Sequence, residues 1–339
     1  MEQNLFGNKQ ILVTGASGLV GVHLVMQLAR EGCNVTAFVR NESSKHKAYT
    51  LFALYNFTNT DTISWQYGDI TNYIDVYEAM KHIDYVFHCA GFVSFNTADY
   101  QTLYDINVLG TKHIVDAALE RGITKLCHVS SVAAIGKSKT SDSIDESCEF
   151  DITKHTGAYH LTKYCGEMEV WRGIAEGLDA VIVNPNVIIG AGNWNSSSSA
   201  LFGTVAKGMK YYTTGSTGYI SVHDVVQCMI ALMQADISGQ RYILSAQTID
   251  FRTLFTAIAH SLGVAPPSKP IKPWQLQLVA RILQMVTRKP KITLHTAHTA
   301  FSHSHYDNTK ITETLHYSFR DVLEEIERIG GIYRGKHKN

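Results

Sequence analysis

The sequence predicts a doubly wound α/β fold, a parallel sheet with helices on both faces and a smaller lobe interleaved towards the C-terminus. Three observations carry this. Short, continuously apolar runs alternate with helical periods through the first two thirds of the 339 residues, as expected of strands buried on both faces. Three glycines follow the first run, where it turns into a helical pattern. Proline is absent before Pro185, then clusters as Pro266, Pro267, Pro270, Pro273 and Pro290, so the chain changes character late.

In chain order the strand-like runs are Ile11–Val13, Val35–Val39, Ile63–Tyr67, Tyr85–Cys89, Leu126–Val129 and Ala180–Val183. The clearest helical stretches are Val20–Arg30, Asp105–Arg121 and Ala158–Glu176. Crossovers between parallel strands should be right-handed. "GAGNWNSSSSA" reads as a polar loop leaving the sheet, and "GYISVHDVVQCMIALMQ" as a strand and helix returning to it. The expected division is therefore a dinucleotide-binding Rossmann domain over 1–190, rejoined by 218–245, and a substrate lobe from 191–217 and 246–339. No linker separates the two.

Composition narrows the function. Lys plus Arg equals Asp plus Glu at 30 each, so the formal net charge is zero. Such a balance gives no electrostatic footprint for nucleic acid or an anionic membrane surface. No apolar run approaches the roughly 20 residues that span a bilayer, and the start of the chain shows no cationic-then-apolar leader. The six cysteines sit in apolar patterns without a C-x-x-C pair, which suits free thiols in a reducing cytoplasm. A small-molecule substrate is the expected partner, with a homodimer compatible.

"ILVTGASGLVG" places Gly15, Gly18 and Gly21 at the strand-to-helix turn, with Ser17, Leu19 and Val20 between them. Glycines there let a ligand approach the backbone, and the helix start offers unpaired N–H groups to a pyrophosphate. A tight turn with a packing role is the plain alternative. The second strand ends in Arg40, where an NAD site usually places an acid for the ribose 2′-OH. An arginine suits a 2′-phosphate, with Ser17 and Lys45 as helpers. NADP is thus expected over NAD.

"AYHLTKYCGE" sets Tyr159 and Lys163 four apart on one helical face. A nearby Lys⁺ and an oxidised nicotinamide would lower the phenol's pKa. Upstream, "LCHVSSVAAIG" ends a buried strand in Ser130 and Ser131, at the carboxyl end where such sheets bind ligands. Ser130 also reads as a strand-end cap.

These segments, with "GDI" at Gly68–Ile70, "FHCAG" at Phe87–Gly91, "INVLGT" at Ile106–Thr111 and "NPNVIIG" from Asn184, follow in an order that resembles the extended short-chain dehydrogenase/reductase family. Within that family the chain most resembles the dihydroflavonol reductase-like and 3β-hydroxysteroid dehydrogenase-like branch, over roughly Lys9 to Gly263. The resemblance implies Tyr159 as general acid/base, with Lys163 as its pKa partner and ribose ligand. It implies Ser131 as the group orienting the substrate oxygen. It also implies that Asp69 and Ile70 flank the adenine, Ala90 and Gly91 the phosphates and ribose, and Pro185 and Val187 the nicotinamide. Asn107 is implied on the cofactor side, in a structural or proton-relay role.

The resemblance implies an oxidoreductase that moves a hydride between nicotinamide and a carbonyl or secondary alcohol. The alternatives are an NAD-dependent sugar-nucleotide epimerase or dehydratase, and a non-catalytic NADP(H)-binding sensor. Asn184 and Arg40 depart from the sugar-nucleotide pattern. Phe92, Phe95, Trp194 and Tyr211 fit an apolar or aromatic substrate, Phe92 and Trp194 most directly, with ordinary core as the alternative. No metal is expected. His295, His298, His303 and His305 lack a nearby Cys or carboxylate to complete a site. The stripe Leu278, Val279, Ile282, Leu283 and Val286 reads first as a lobe helix packed on the core, and second as an interfacial membrane helix.

Overall fold

The computed structural model describes residues 6–138, 143–152, 156–194, 198–287, 290 and 292–337. Residues 195–197 of the polar loop, and 288, 289 and 291 beyond the apolar stripe, lie outside them.

Seven parallel strands form the central sheet. In chain order they are β1 (Gln10–Thr14), β2 (Asn34–Val39), β3 (Ile63–Tyr67), β4 (Tyr85–His88), β5 (Lys125–Val129), β6 (Ala180–Pro185) and β7 (Gln240–Leu244). Their spatial order is β7-β6-β5-β4-β1-β2-β3. The chain thus reverses direction across the sheet between β1 and β4, the point beyond whose strand ends sheets of this kind bind their ligands.

Alternation along each strand fills both faces. Ile11 and Val13 face a core shared with the first helix (Leu19–Arg30) and the helix Val222–Gln234. Leu12, Val86, Leu126 and Ile182 face the opposite layer, with Ile114, Val115 and Val170 from the helices Gly110–Arg121 and Ala158–Ala175. All six cysteines are free thiols.

At Asn186 the chain changes sheets. Its amide still donates to Leu244 of β7, at 3.0 Å. The next residues, Val187–Ile189, pair with Ser216–Ser221, which pairs in turn with Gln247–Asp250. The strand Ser216–Ser221, read from sequence as returning to the main sheet, therefore belongs to this three-stranded sheet. The strand that rejoins the main sheet is β7, after the helix. A third apolar cluster binds the smaller sheet to the helices Ala200–Ala206, Phe251–Leu262 and Val322–His337.

Candidate active site

The glycine turn needs glycine for steric reasons. Gly15 has φ +63°, and a Cβ there would sit 2.6 Å from the Ala90 amide after β4. A Cβ on Gly21 would lie 2.3 Å from the Gly15 carbonyl. The turn therefore packs backbone on backbone, and Gly18, at the N-cap of the first helix, supplies no side-chain cap to the helix N–H groups. That cradle, with its uncapped helix start, fits a pyrophosphate. Ser17 and Leu19 are half-buried on it and Val20 is buried. The Leu19 side chain also lies against Gly190 and Gly192, where the chain leaves for the second lobe.

Arg40 is exposed just past β2. Lys45 is already engaged, 3.9 Å from Glu42 and 6.0 Å over the Trp65 ring, so as a helper it would first have to leave these partners. Asp69 turns its carboxylate back on Thr71, accepting from both the amide and the hydroxyl at 2.9 Å. Ile70 is buried against Gly110.

Ala90 donates to Thr14 at 3.3 Å, which ties the loop after β4 to β1. Asn107, in a π-helical turn, uses both amide atoms within the fold. It accepts from the Phe92 amide at 2.8 Å and donates to the Phe92 carbonyl at 3.0 Å and to Thr162 at 3.3 Å. It thereby shapes the loop that carries Gly91 and Phe92. Pro185 ends β6, and Val187 is half-buried at the start of the small sheet.

Ser131 caps a short 3₁₀ turn beyond β5, accepting from Ala133 at 3.1 Å. Tyr159 and Lys163 rise from the first two turns of the helix Ala158–Ala175. Burial pushes the Tyr159 phenol above its usual value, and a hydrogen bond with Ser131 works against that push. The Lys163 ammonium donates to the Val129 carbonyl at 2.9 Å. Burial lowers its pKa to about 8, opposed by Glu167 and Cys89. The expectation of a phenol lowered by Lys163 is thus corrected: among the chain's own groups only Ser131 pulls it down, and burial outweighs that. Ser131 and Tyr159 lie together, while the lysine sits one turn deeper, near Gly91.

Behind the trio lies a carboxylate that sequence reading missed. Glu167, fully buried, accepts from Ser130 at 2.6 Å, Asn184 at 2.7 Å, Arg241 at 3.0 Å and the Trp171 indole at 3.3 Å. Asn184 also donates to the Ser131 carbonyl at 3.0 Å, so Glu167 helps to fix the turn that presents Ser131. Its position four residues after Lys163 was the one local signal. Ser130 serves this network, not a strand-end cap.

Phe95, one of the aromatic residues read as near the substrate, flanks the tyrosine, and His295 joins it there. Phe95 meets the Tyr159 ring edge-on at 5.5 Å and stacks on His295 from the second lobe at 6.0 Å. His295 in turn contacts His160 at 5.0 Å. Burial holds both imidazoles below their usual pKa, His160 at about 4. The histidine-rich run otherwise disperses: His303 bonds Ser216 and His305 bonds Thr248. Trp194 lies elsewhere, buried in the second lobe's core with its ring edge-on to Tyr333 at 4.9 Å. Tyr211 is exposed on a short strand paired with Lys269.

A glycine-turned first helix and a serine, tyrosine and lysine at the carboxyl ends of a doubly wound sheet define the extended short-chain dehydrogenase/reductase class, an oxidoreductase architecture. The chain belongs to the NAD dependent epimerase/dehydratase family, whose model matches residues 11–244. A protein named "Putative dihydroflavonol 4-reductase" from Synechocystis is 29% identical over 315 residues, covering 89% of this chain and 88% of that one. Sterol demethylase protein B of Methylococcus capsulatus is 28% identical, covering 82% of each. Cinnamoyl-CoA reductase 1 of Petunia hybrida is 27% identical over 70% of this chain and 73% of its own. Among solved structures, gox2253 superposes with a TM-score of 0.80 at 26% identity, covering 97% and 99%. UDP-glucuronic acid 4-epimerase of Bacillus cereus, in complex with NAD, superposes at 0.73 with 17% identity, covering 96% and 99%. That last likeness concerns the fold.

Proposed function

We propose that this chain is an NADP(H)-dependent oxidoreductase acting on the carbonyl or secondary alcohol of a small, apolar or aromatic substrate. The observation that carries the reading is Tyr159, a phenol whose pKa burial raises, set beside Ser131 and met edge-on by Phe95. A proton donor beside an aromatic wall suits a carbonyl oxygen better than a free sugar ring. In this reading 1–190 with 218–245 hold the cofactor, and 191–217 with 246–339 hold the substrate. Gly15, Gly18 and Gly21 would cradle the pyrophosphate, and Arg40 would meet the 2′-phosphate. NADPH, when bound, supplies the hydride.

Ser131 holds the substrate oxygen in line, and Tyr159 gives it the proton that charge build-up demands. Lys163, near the loop of Ala90 and Gly91, holds the nicotinamide ribose. Asn107 positions that loop. The names of two of the relatives above, a putative dihydroflavonol 4-reductase and a cinnamoyl-CoA reductase, support reduction over epimerisation, as does Asn184, which is spent on Glu167 and Ser131.

The test is Tyr159→Phe, which removes one hydroxyl. With a ketone or aldehyde found by screening NADPH oxidation, turnover should fall by about 10² to 10⁴, the usual share of general acid catalysis. NADPH affinity should stay unchanged. Wild-type turnover in this variant would refute the assignment.

A further inference from the structure

The helix Pro273–Val286 is apolar on two faces and uses only one of them. Leu276, Ala280 and Leu283, at i, i+4 and i+7, turn inward, and Ala280 alone is fully buried. The opposite face carries Trp274, Leu278, Ile282, Met285 and Val286, which are 61%, 50%, 49%, 80% and 77% exposed. The stripe read from sequence as packed on the core therefore points outward, except for Leu283. The helix is anchored on its inner side by the short helix Leu294–Thr299.

The charge around this face has one sign. No Asp or Glu occurs between Asp250 and Asp307; Lys269, Lys272 and Arg281 flank or sit on the helix, and Arg288, Lys289 and Lys291 follow it in the sequence. Lys269, Lys272 and Arg281 are exposed and make no ion pair among the described residues. The whole chain is neutral, so this is segregation of charge and not a general excess.

We propose that the outer face of Pro273–Val286 docks onto an anionic lipid surface, lying in the plane of the interface. An exposed apolar face with a tryptophan at one end and cations beside it matches such a surface in both its apolar and its charged parts. Fourteen residues make a helix about 21 Å long, too short to cross the roughly 30 Å hydrocarbon core. A second copy of the chain fits worse, because two such faces would bring like charges together with no acid to pair them. The inner side of the docked helix rests on Leu294–Thr299, whose His295 stacks on Phe95 beside Tyr159. On the oxidoreductase reading above, one short helix then lies between the lipid-bound helix and the aromatic group around the tyrosine.

Flotation of the full chain with vesicles tests this without cofactor or substrate, so its result is separate from that reading. The chain should float with phosphatidylcholine vesicles containing phosphatidylserine and stay behind with phosphatidylcholine alone. Ile282→Asp should cut binding by about tenfold or more, since it sets a charge in the apolar face. Arg281→Glu should weaken binding to the anionic vesicles. Both sites are exposed, so circular dichroism and thermal midpoint should match the wild type. Failure to float with anionic vesicles would overturn the proposal, as would wild-type flotation of Ile282→Asp. So would a lipid-independent dimer of the wild type that Ile282→Asp dissolves, because the face would then belong to a second copy.

Discussion

The first helix and the late helix Pro273–Val286 are both apolar by sequence, yet they meet opposite fates. In Leu19–Arg30, nine of twelve residues are buried, from Val20 to Ala29. In Pro273–Val286, of fourteen residues, only Ala280 is. The first helix packs on the sheet, side by side with the helix Val222–Gln234, so every turn finds apolar neighbours. The late helix rests mainly on one short helix, and its other side stays exposed among the described residues. Apolar residues set the tendency to leave water, and the number of layers around them decides whether they do.

The sharpest test of this contrast lies in the buried half. Glu167→Ala would leave Arg241, Asn184 and Ser130 without their shared acceptor. Breaking a buried pair from one side typically costs about 3–5 kcal/mol, and urea denaturation should show a loss of that order. A loss near zero would mean that the network is solvated and the half less closed than it looks.

The direct comparison comes next. Leu24→Ala in the first helix should cost about 2–5 kcal/mol, because a fully buried side chain leaves a cavity. Leu278→Ala in the late helix should stay within about 0.5 kcal/mol, as exposed sites do. Equal losses in the two variants would break the comparison.

Acid gives a third measure. Burial lowers the His23 pKa to about 3, the nearby His223 and Arg328 adding to it against the Leu19 carbonyl bond. The unfolded chain takes up that proton near pH 6.5 and the folded chain does not, so the neutral imidazole's contribution is complete above 6.5. It is lost as pH falls from about 6.5 towards 3, with a slope near 1.4 kcal/mol per pH unit for one group. His88 and His160 titrate in the same direction. His23→Gln should therefore flatten the acid limb of the stability curve by one group's share. The late helix has no His, Asp or Glu, and variants in it should leave that limb unchanged.

The smallest expected effect concerns an exposed residue of the cofactor half. Arg40→Ala should weaken NADPH binding by about tenfold, a loss of about 1.4 kcal/mol, and leave NADH untouched. Fluorescence titration of both cofactors checks it. An unchanged preference would make Arg40 a bystander.

Much of the cofactor half was legible in the sequence, because its information is local. Continuous apolar runs mark strands covered on both faces, and six of the seven strands of the main sheet stand within two residues of those runs. Gly15, Gly18 and Gly21 declare a backbone-on-backbone turn, and the spacing of Tyr159 and Lys163 places them on one helical face. Ser131 follows from the end of β5.

What the tertiary structure decided depends on residues far apart in the chain. Phe95 and His295 come together beside Tyr159 from far apart in the chain, and Arg241 meets Glu167 across 74 positions. Periodicity carries no term for such meetings. The same holds for Ser216–Ser221, whose apolar pattern fits either sheet until Val187–Ile189 and Gln247–Asp250 claim it. It holds for the phenol of Tyr159, whose pKa rises because burial, a property of the whole fold, outweighs its hydrogen bond to Ser131. It holds above all for Pro273–Val286, since a sequence shows that a face is apolar but only the packed layers show what is left to cover it.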